Sequence, residues 1–397
     1  MTNRWQILAL LFSIRVAMAF QFQAAAALSP FFMETYQTGI ADIGLLIGLY
    51  LSPGIFLALP GGAIGKRFGE KQAALAGLVL MSLGGLMAAA GGSWEMQLAG
   101  RVLAGAGGVL LSVLMTKMVT DWFSGREIAT AMGIFVNSWP VGIALALIIL
   151  PGVAETAGLN MALLVVAVLA MCGLVGLAAA YQAPAGLDTG RTQGVPLRGS
   201  VLWLVICAGA IWGLYNAALG MVFSFAPAML AARGWPATAA SSVTSIVLWV
   251  MAVSIPLGGI LADRTRRVDI VLMTGFILFA IMLVIASRTD AIMLSFAGLG
   301  LVAGLSAGPI MSLPSRILVP GNRAVGMGVF YTLYYVIFFL GPLAAGSLAG
   351  LSGRISITFD LGAAMLIACS ALLLIFRHRT AAPSQPATAF AAPPSPG

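Results

Sequence analysis

Charge is what this chain has least of. Asp, Glu, Lys and Arg make up 8% of its 397 residues, where a soluble protein carries about 25%. Too little polar surface is available to cover a water-exposed fold, so a soluble globular protein is excluded. Histidine occurs once, at His378, and each of the 12 Asp and Glu residues falls in a loop or at a helix end. Metal centres, nucleophile triads and acid–base pairs are built from clusters of such groups. No such cluster and no phosphate-binding loop occurs, so neither an enzyme nor a cofactor or metal is expected. The three cysteines, Cys172, Cys207 and Cys369, lie inside apolar runs. They read as small core residues and not as a disulfide framework.

What the chain does have is apolar length. Hydrophobic residues are 60% of it, its mean hydropathy is +1.04, and apolar runs of about 18–25 residues recur from end to end, each able to cross ~30 Å of hydrocarbon as a helix. These are the marks of an all-α polytopic membrane protein with twelve spans. The first six are expected near 5–33, 42–63, 73–92, 96–119, 130–153 and 159–182. The last six are expected near 200–231, 238–262, 269–287, 290–317, 326–350 and 357–377. The start, MTNRWQILALLF, looks like a signal peptide, but the apolar run continues past Arg15 to Phe32 and reads as a retained first helix. Residues 1–182 and 200–379 thus form two six-helix bundles, joined by a polar linker at 183–199. The tail at 380–397, rich in Pro, Ala and Ser, is expected to be disordered.

The net charge of +8 is distributed by topology. With the N-terminus inside, Arg4, Lys66, Arg67, Lys71, Arg126, Arg191, Arg264, Arg323 and Arg377 share one side, while the opposite loops hold only Arg233, Arg288 and Arg354 among basic residues. Such asymmetry places both termini in the cytoplasm. A lipid bilayer and a small-molecule substrate are therefore the expected partners, in a bacterial inner membrane, with no nucleic acid and as a monomer.

The two halves repeat. Pro30 and Pro227, Gly61–Gly62 and Gly258–Gly259, Arg67 and Arg264, and Arg126 and Arg323 all share an offset of 197 residues. MGIF at Met132–Phe135 returns as MGVF at Met327–Phe330. Parallel repeats about an axis along the membrane normal are a transporter plan.

Two segments carry a family resemblance. GAIGKRFGEK (Gly62–Lys71) and GILADRTRRV (Gly259–Val268) resemble the paired loop motifs of the major facilitator superfamily, Gly-x-Leu-Ala-Asp-Arg-x-Gly-Arg-Lys, between spans 2 and 3 and again between spans 8 and 9. RVLAGAGG (Arg101–Gly108) resembles that family's Arg-x-x-x-Gly pattern on span 4, and FQFQ (Phe20–Gln23) with SWPVG (Ser138–Gly142) resembles its cyanate/nitroimidazole-porter-like branch. The resemblance implies a twelve-span transporter working by alternating access. It assigns gating roles to Gly62, Lys66, Arg67, Gly69, Arg101, Gly259, Asp263 and Arg264. In the family an Asp in the first motif touches the other half. Here Lys66 holds that position, so Glu70 is expected to replace the contact, while Asp263 keeps its place in the second motif. Read on its own chemistry, Gly62–Lys71 is a glycine-framed turn whose bases hold it in the cytoplasm. Arg101 reads as about one turn from the outer end of its span, where anchoring and packing compete with gating.

For the substrate, Arg15 stands out. It lies about ten residues into span 1, near mid-membrane, where a charge is costly and marks a functional site by default. The bland alternative is a structural arginine bonded to helix carbonyls. Gln21 and Gln23 on span 1, Asn137 on span 5, Trp212, Tyr215 and Asn216 on span 7, and Tyr331, Tyr334 and Tyr335 on span 11 are the polar and aromatic groups able to join it. Spans 1, 5, 7 and 11 line the cavity in the family that the chain resembles. With no mid-membrane acid to pair Arg15, the cavity should be electropositive and take a small organic or inorganic anion. An exporter of hydrophobic drugs or metabolites is the competing reading, on the strength of the aromatic and Met-rich lining. A sensor on a transporter fold is a third.

Overall fold

The computed structural model describes residues 3–58, 60–123, 128–183, 197, 199–265, 267–318 and 323–381. Among them the regular structure is all helical. The first half holds α1 (Arg4–Ala27), α2 (Ser29–Tyr36), α3 (Ile40–Leu49), α4 (Gly54–Leu57), α5 (Gly61–Phe68), α6 (Glu70–Ala90), α7 (Trp94–Phe123), α8 (Ile128–Ala157) and α9 (Leu159–Ala180). The second holds α10 (Gly199–Ala232), α11 (Ala237–Thr265), α12 (Val268–Ala286), α13 (Ile292–Met311), α14 (Arg323–Ser352) and α15 (Ile357–Ala381). Twelve stretches are long and apolar enough to cross a bilayer: α1, α3 with α4, and each of α6 to α15. In hydrocarbon every backbone N–H and C=O must be bonded within the segment, which a helix alone achieves for a single span. Most of the expected linker and tail lies outside the described residues.

Spans 1 and 2 depart from the sequence reading. The first, expected to run unbroken to residue 33, stops at Leu28 and restarts as α2 with Pro30 in its first turn. Proline has no N–H to give and its ring crowds the carbonyl four residues back. The second breaks between α3 and α4, where Leu51 N bonds Gly48 O and Gly54 N bonds Leu51 O, a tighter i→i−3 pattern around Pro53. Their counterparts α10 and α11 carry Pro227 and Pro256 without interruption. The motif at Gly62–Lys71 also needs correction. It is helical through Phe68, and the turn is the single residue Gly69, at φ +86°, before α6 begins at Glu70. Asp42 caps span 2 as its position predicts, accepting from Gly39 N at 2.9 Å.

The packing order repeats between halves. α1 lies on α8 as α10 lies on α14; α6 packs on α7 and α9 as α12 packs on α13 and α15. Across the halves, α3 meets α14 and α11 meets α8. Those two seams are one seam turned about a two-fold axis, since spans 2 and 11 become spans 8 and 5. Twelve crossings bring both termini to one face, here the terminal face; the opposite one is the far face. The α3–α14 seam closes toward the far face. A Cβ at Gly48 would meet the Phe339 carbonyl at 2.6 Å, and one at Gly44 would strike the backbone of Pro342 and Gly346. Only glycine lets two helix backbones come this close. At the far end of the other seam, Thr238 N donates to Glu155 Oε1 at 3.3 Å.

Candidate functional site

Arg15 sits eleven residues after the start of α1, about 16 Å along the helix, on the side that faces the second half. Its Cζ lies 4.5 Å above the centre of the Phe135 ring on α8. The phenols of Tyr331, Tyr335 and Tyr334 on α14, in the other half, are its titratable electrostatic neighbours. The side chain is half-buried, its Nε is fully enclosed without a hydrogen-bond partner, and it has no ion pair among the described residues. Burying an unpaired ion costs several kcal/mol, and a cation–π contact returns about 2 kcal/mol. The arrangement is short of negative charge.

Aromatic rings build the walls and the roof. Tyr331, Tyr334 and Tyr335 follow i, i+3, i+4 spacing and so share one face of α14. Tyr334 packs edge-on against Tyr335 at 4.9 Å and stacks with Trp212 of α10 at 6.2 Å. Toward the far face Phe22 is the hub of a cluster drawn from five spans. Tyr50, Trp139, Phe223 and Phe338 surround it at 5.5, 5.4, 6.1 and 5.9 Å. Beside it Gln23 Nε2 donates across the halves to Phe223 O at 2.6 Å.

The other sequence candidates are dispersed. Gln21 turns into its own half, where Nε2 donates to Met81 O at 2.9 Å, beside a cavity of about 30 Å³ that Gln97 and Arg101 also line. Tyr215 is buried in the second half with its hydroxyl on Ala303 O at 2.6 Å, and its ring backs Trp212 at 5.9 Å. Asn216 is half-buried and donates from Nδ2 to Trp212 O at 2.8 Å. Asn137 is half-buried on α8 with an unbonded Oδ1. Arg15, Trp212 and the α14 tyrosines are therefore grouped where the two halves face each other; Gln21 and Tyr215 are not.

Arg101 lies two turns into α7, not one, and is enclosed. Its fork donates to Leu46 O at 3.0 Å, Gln21 O at 2.6 Å and Phe22 O, with Cζ 4.8 Å from the Tyr50 ring. It ties α1, α3 and α7 into one block and so fixes Phe22. Backbone acceptors leave no trace in a side-chain pattern, which is why the sequence did not show this role. Of the remaining gating candidates, Gly69 makes the turn, Arg67 and Arg264 are exposed, and a Cβ at Gly259 would meet open space. The surroundings of Gly62 and the side chains of Lys66 and Asp263 lie outside what the structure describes. Among the described residues Glu70 pairs within its own half and not with the other: it holds Lys117, which also holds Asp121 at 2.6 Å. A counterpart joins Asp269 to Arg316 at 2.9 Å and Arg377 at 3.2 Å. An acid in the first turn of spans 3 and 9, with a base near the end of spans 4 and 10, was the available signal.

The sequence matches the Major Facilitator Superfamily over residues 10–228 and 201–396. The chain belongs to that superfamily. No curated protein matches it in sequence. Among solved structures its fold is similar to the inward-open xylose transporter XylE from E. coli, at 13% identity and a TM-score of 0.78, covering 94% of this chain and 96% of that one. It is also similar to an inward-facing, occupied bacterial homologue of the human lysosomal transporter Spinster, at 17% identity and a TM-score of 0.76, over 95% and 97% of the two chains. A D-xylose–proton symporter shares the fold at 16% identity and a TM-score of 0.76, over 94% and 97%. Likeness at these identities is likeness of fold. As a superfamily member, the protein is a multi-pass membrane transporter and not an enzyme. The match singles out no branch, the cyanate/nitroimidazole porters included.

Proposed function

We propose that the protein carries a small anion across a bacterial inner membrane by alternating access, with both termini cytoplasmic. One observation carries the reading: Arg15, without an ion pair among the described residues, faces a tyrosine cluster on the opposite half. An anion seated there supplies the missing charge and touches both halves at once. A ligand shifts a conformational equilibrium only by its differential affinity for the states, and a site split between the moving parts provides that difference. No mid-membrane carboxylate or histidine is available to carry a coupling proton, which favours anion exchange or a proton carried by the substrate. The positive-inside distribution of Lys and Arg supports the orientation.

The test is uptake of labelled small anions into proteoliposomes, with and without a pH gradient. Arg15→Gln should abolish uptake while the protein remains folded and monodisperse. Full uptake by that variant sinks the assignment. The aromatic lining also fits export of hydrophobic compounds, and drug resistance on overexpression that survives Arg15→Gln would establish that reading instead.

A further inference from the structure

The anion reading leaves open what kind of anion, and the lining narrows it. Resting on that reading, we infer that the substrate is a monocarboxylate with a flat, apolar body, an aromatic acid being the best fit. Three observations converge. First, among the described residues Arg15 is the one basic side chain at this depth on the faces that meet, so the site offers a single positive charge; Arg101 is spent on three carbonyls outside it. A dianion would bring a second charge with no partner, which is costly in a low-dielectric interior.

Second, the neutral donors beside Arg15 are phenols. Tyr331 and Tyr334 are half-buried, and neither hydroxyl bonds a described residue. A guanidinium and two phenol O–H groups match the two oxygens of a carboxylate, which accept about four hydrogen bonds between them. Third, the wall next to these donors is aromatic. Trp212 and Tyr334 stack at 6.2 Å with planes 29° apart, and Trp139 closes the roof against Phe22. Rings give a flat body large apolar contact at little entropic cost, and offset stacking adds to it. A sugar or polyol needs many polar contacts. Here the amides are few, and those of Gln21, Gln23 and Asn216 already donate to backbone carbonyls.

Competition in proteoliposomes tests this, with benzoate, acetate, nitrate and phthalate as the probes. Benzoate should compete about tenfold better than acetate or nitrate, a stacking-sized preference, and phthalate should compete poorly. Trp212→Leu should bring the ratio of benzoate to acetate competition within that one protein toward one, and Trp212→Phe should restore most of it. Equal competition by acetate, nitrate and benzoate, or a preference unmoved in Trp212→Leu, overturns the inference and leaves the anion reading standing. Should no probe be transported while a neutral hydrophobic dye is, both fall. Because the readout is a ratio of two anions within one protein, and each variant is checked for monodispersity, loss of folding is separable from loss of selectivity.

Discussion

The α3–α14 seam makes a prediction that can be sized from distances. A Cβ added at Gly44 would lie 3.1 Å from Gly346 Cα and 3.3 Å from its N, and nearer still to the Pro342 carbonyl. These neighbours are backbone, so no side chain can swing away; relief comes only if α3 and α14 separate. Overpacking of this kind costs about 1–3 kcal/mol. Because the contact joins the two halves and supports neither alone, the cost falls on the far-face-closed state. That energy corresponds to a shift of about 5–150-fold in the closed-to-open ratio. The assay is a double electron–electron resonance distance between spin labels at Thr35 and Arg354, both exposed and on opposite halves. Cys172, Cys207 and Cys369 would be replaced by serine beforehand. Gly44→Val should move the population to longer distances with little change in thermal stability. The control is Gly84→Ala, where the new Cβ would meet Ala104 N at 2.6 Å and Ala104 Cβ at 2.9 Å inside one half. It should lower stability and leave the distances alone. If folded Gly44→Val keeps the parent distribution, the seam does not control closure of the far face.

Further outcomes follow from the same geometry. Arg101→Met removes a buried charged donor from three carbonyls and should cost about 3 kcal/mol, read as a lower melting temperature; Arg101→Lys should rescue only part, having no fork. Gly69→Ala forces a side chain into φ +86° and should destabilise by about 1–2 kcal/mol while leaving substrate affinity unchanged. Lys117→Ala breaks pairs that are partly exposed, 43% on the lysine side, so its effect on stability should stay below about 1 kcal/mol and diminish further in high salt.

Much of the architecture was legible because lipid imposes a simple code. Apolar length gave the spans, and a constant offset between prolines, glycines and arginines gave the duplication. The breaks in spans 1 and 2 were not legible, although Pro30 and Pro53 were in plain view. Pro140, Pro151, Pro227, Pro256 and Pro342 sit inside continuous helices, so proline alone does not say where a span will part. Site residues divide in the same way. Tyr331, Tyr334 and Tyr335 were named by residue type on span 11, and their i, i+3, i+4 spacing puts them on one face. In FQFQ, by contrast, adjacent positions point 100° apart on a helix. Gln21 therefore serves the interior of its half, Phe22 the roof and Gln23 the other half, and composition gave no hint of which was which. Arg15 stood out in the sequence because charge in an apolar run has few explanations. Arg101, with the same chemistry, does something else because its partners are main-chain atoms.

The central claim is that Arg15 is the seat of the substrate's negative charge, and equilibrium binding tests it without requiring transport. Labelled benzoate, acetate and nitrate would each be titrated onto the purified, monodisperse protein, its Arg15→Gln variant and its Arg15→Lys variant. Losing a charge-assisted interaction worth about 2–3 kcal/mol should weaken binding of at least one anion by about 30–150-fold in Arg15→Gln, with Arg15→Lys in between. Saturable binding of the same affinity in all three proteins would contradict the account.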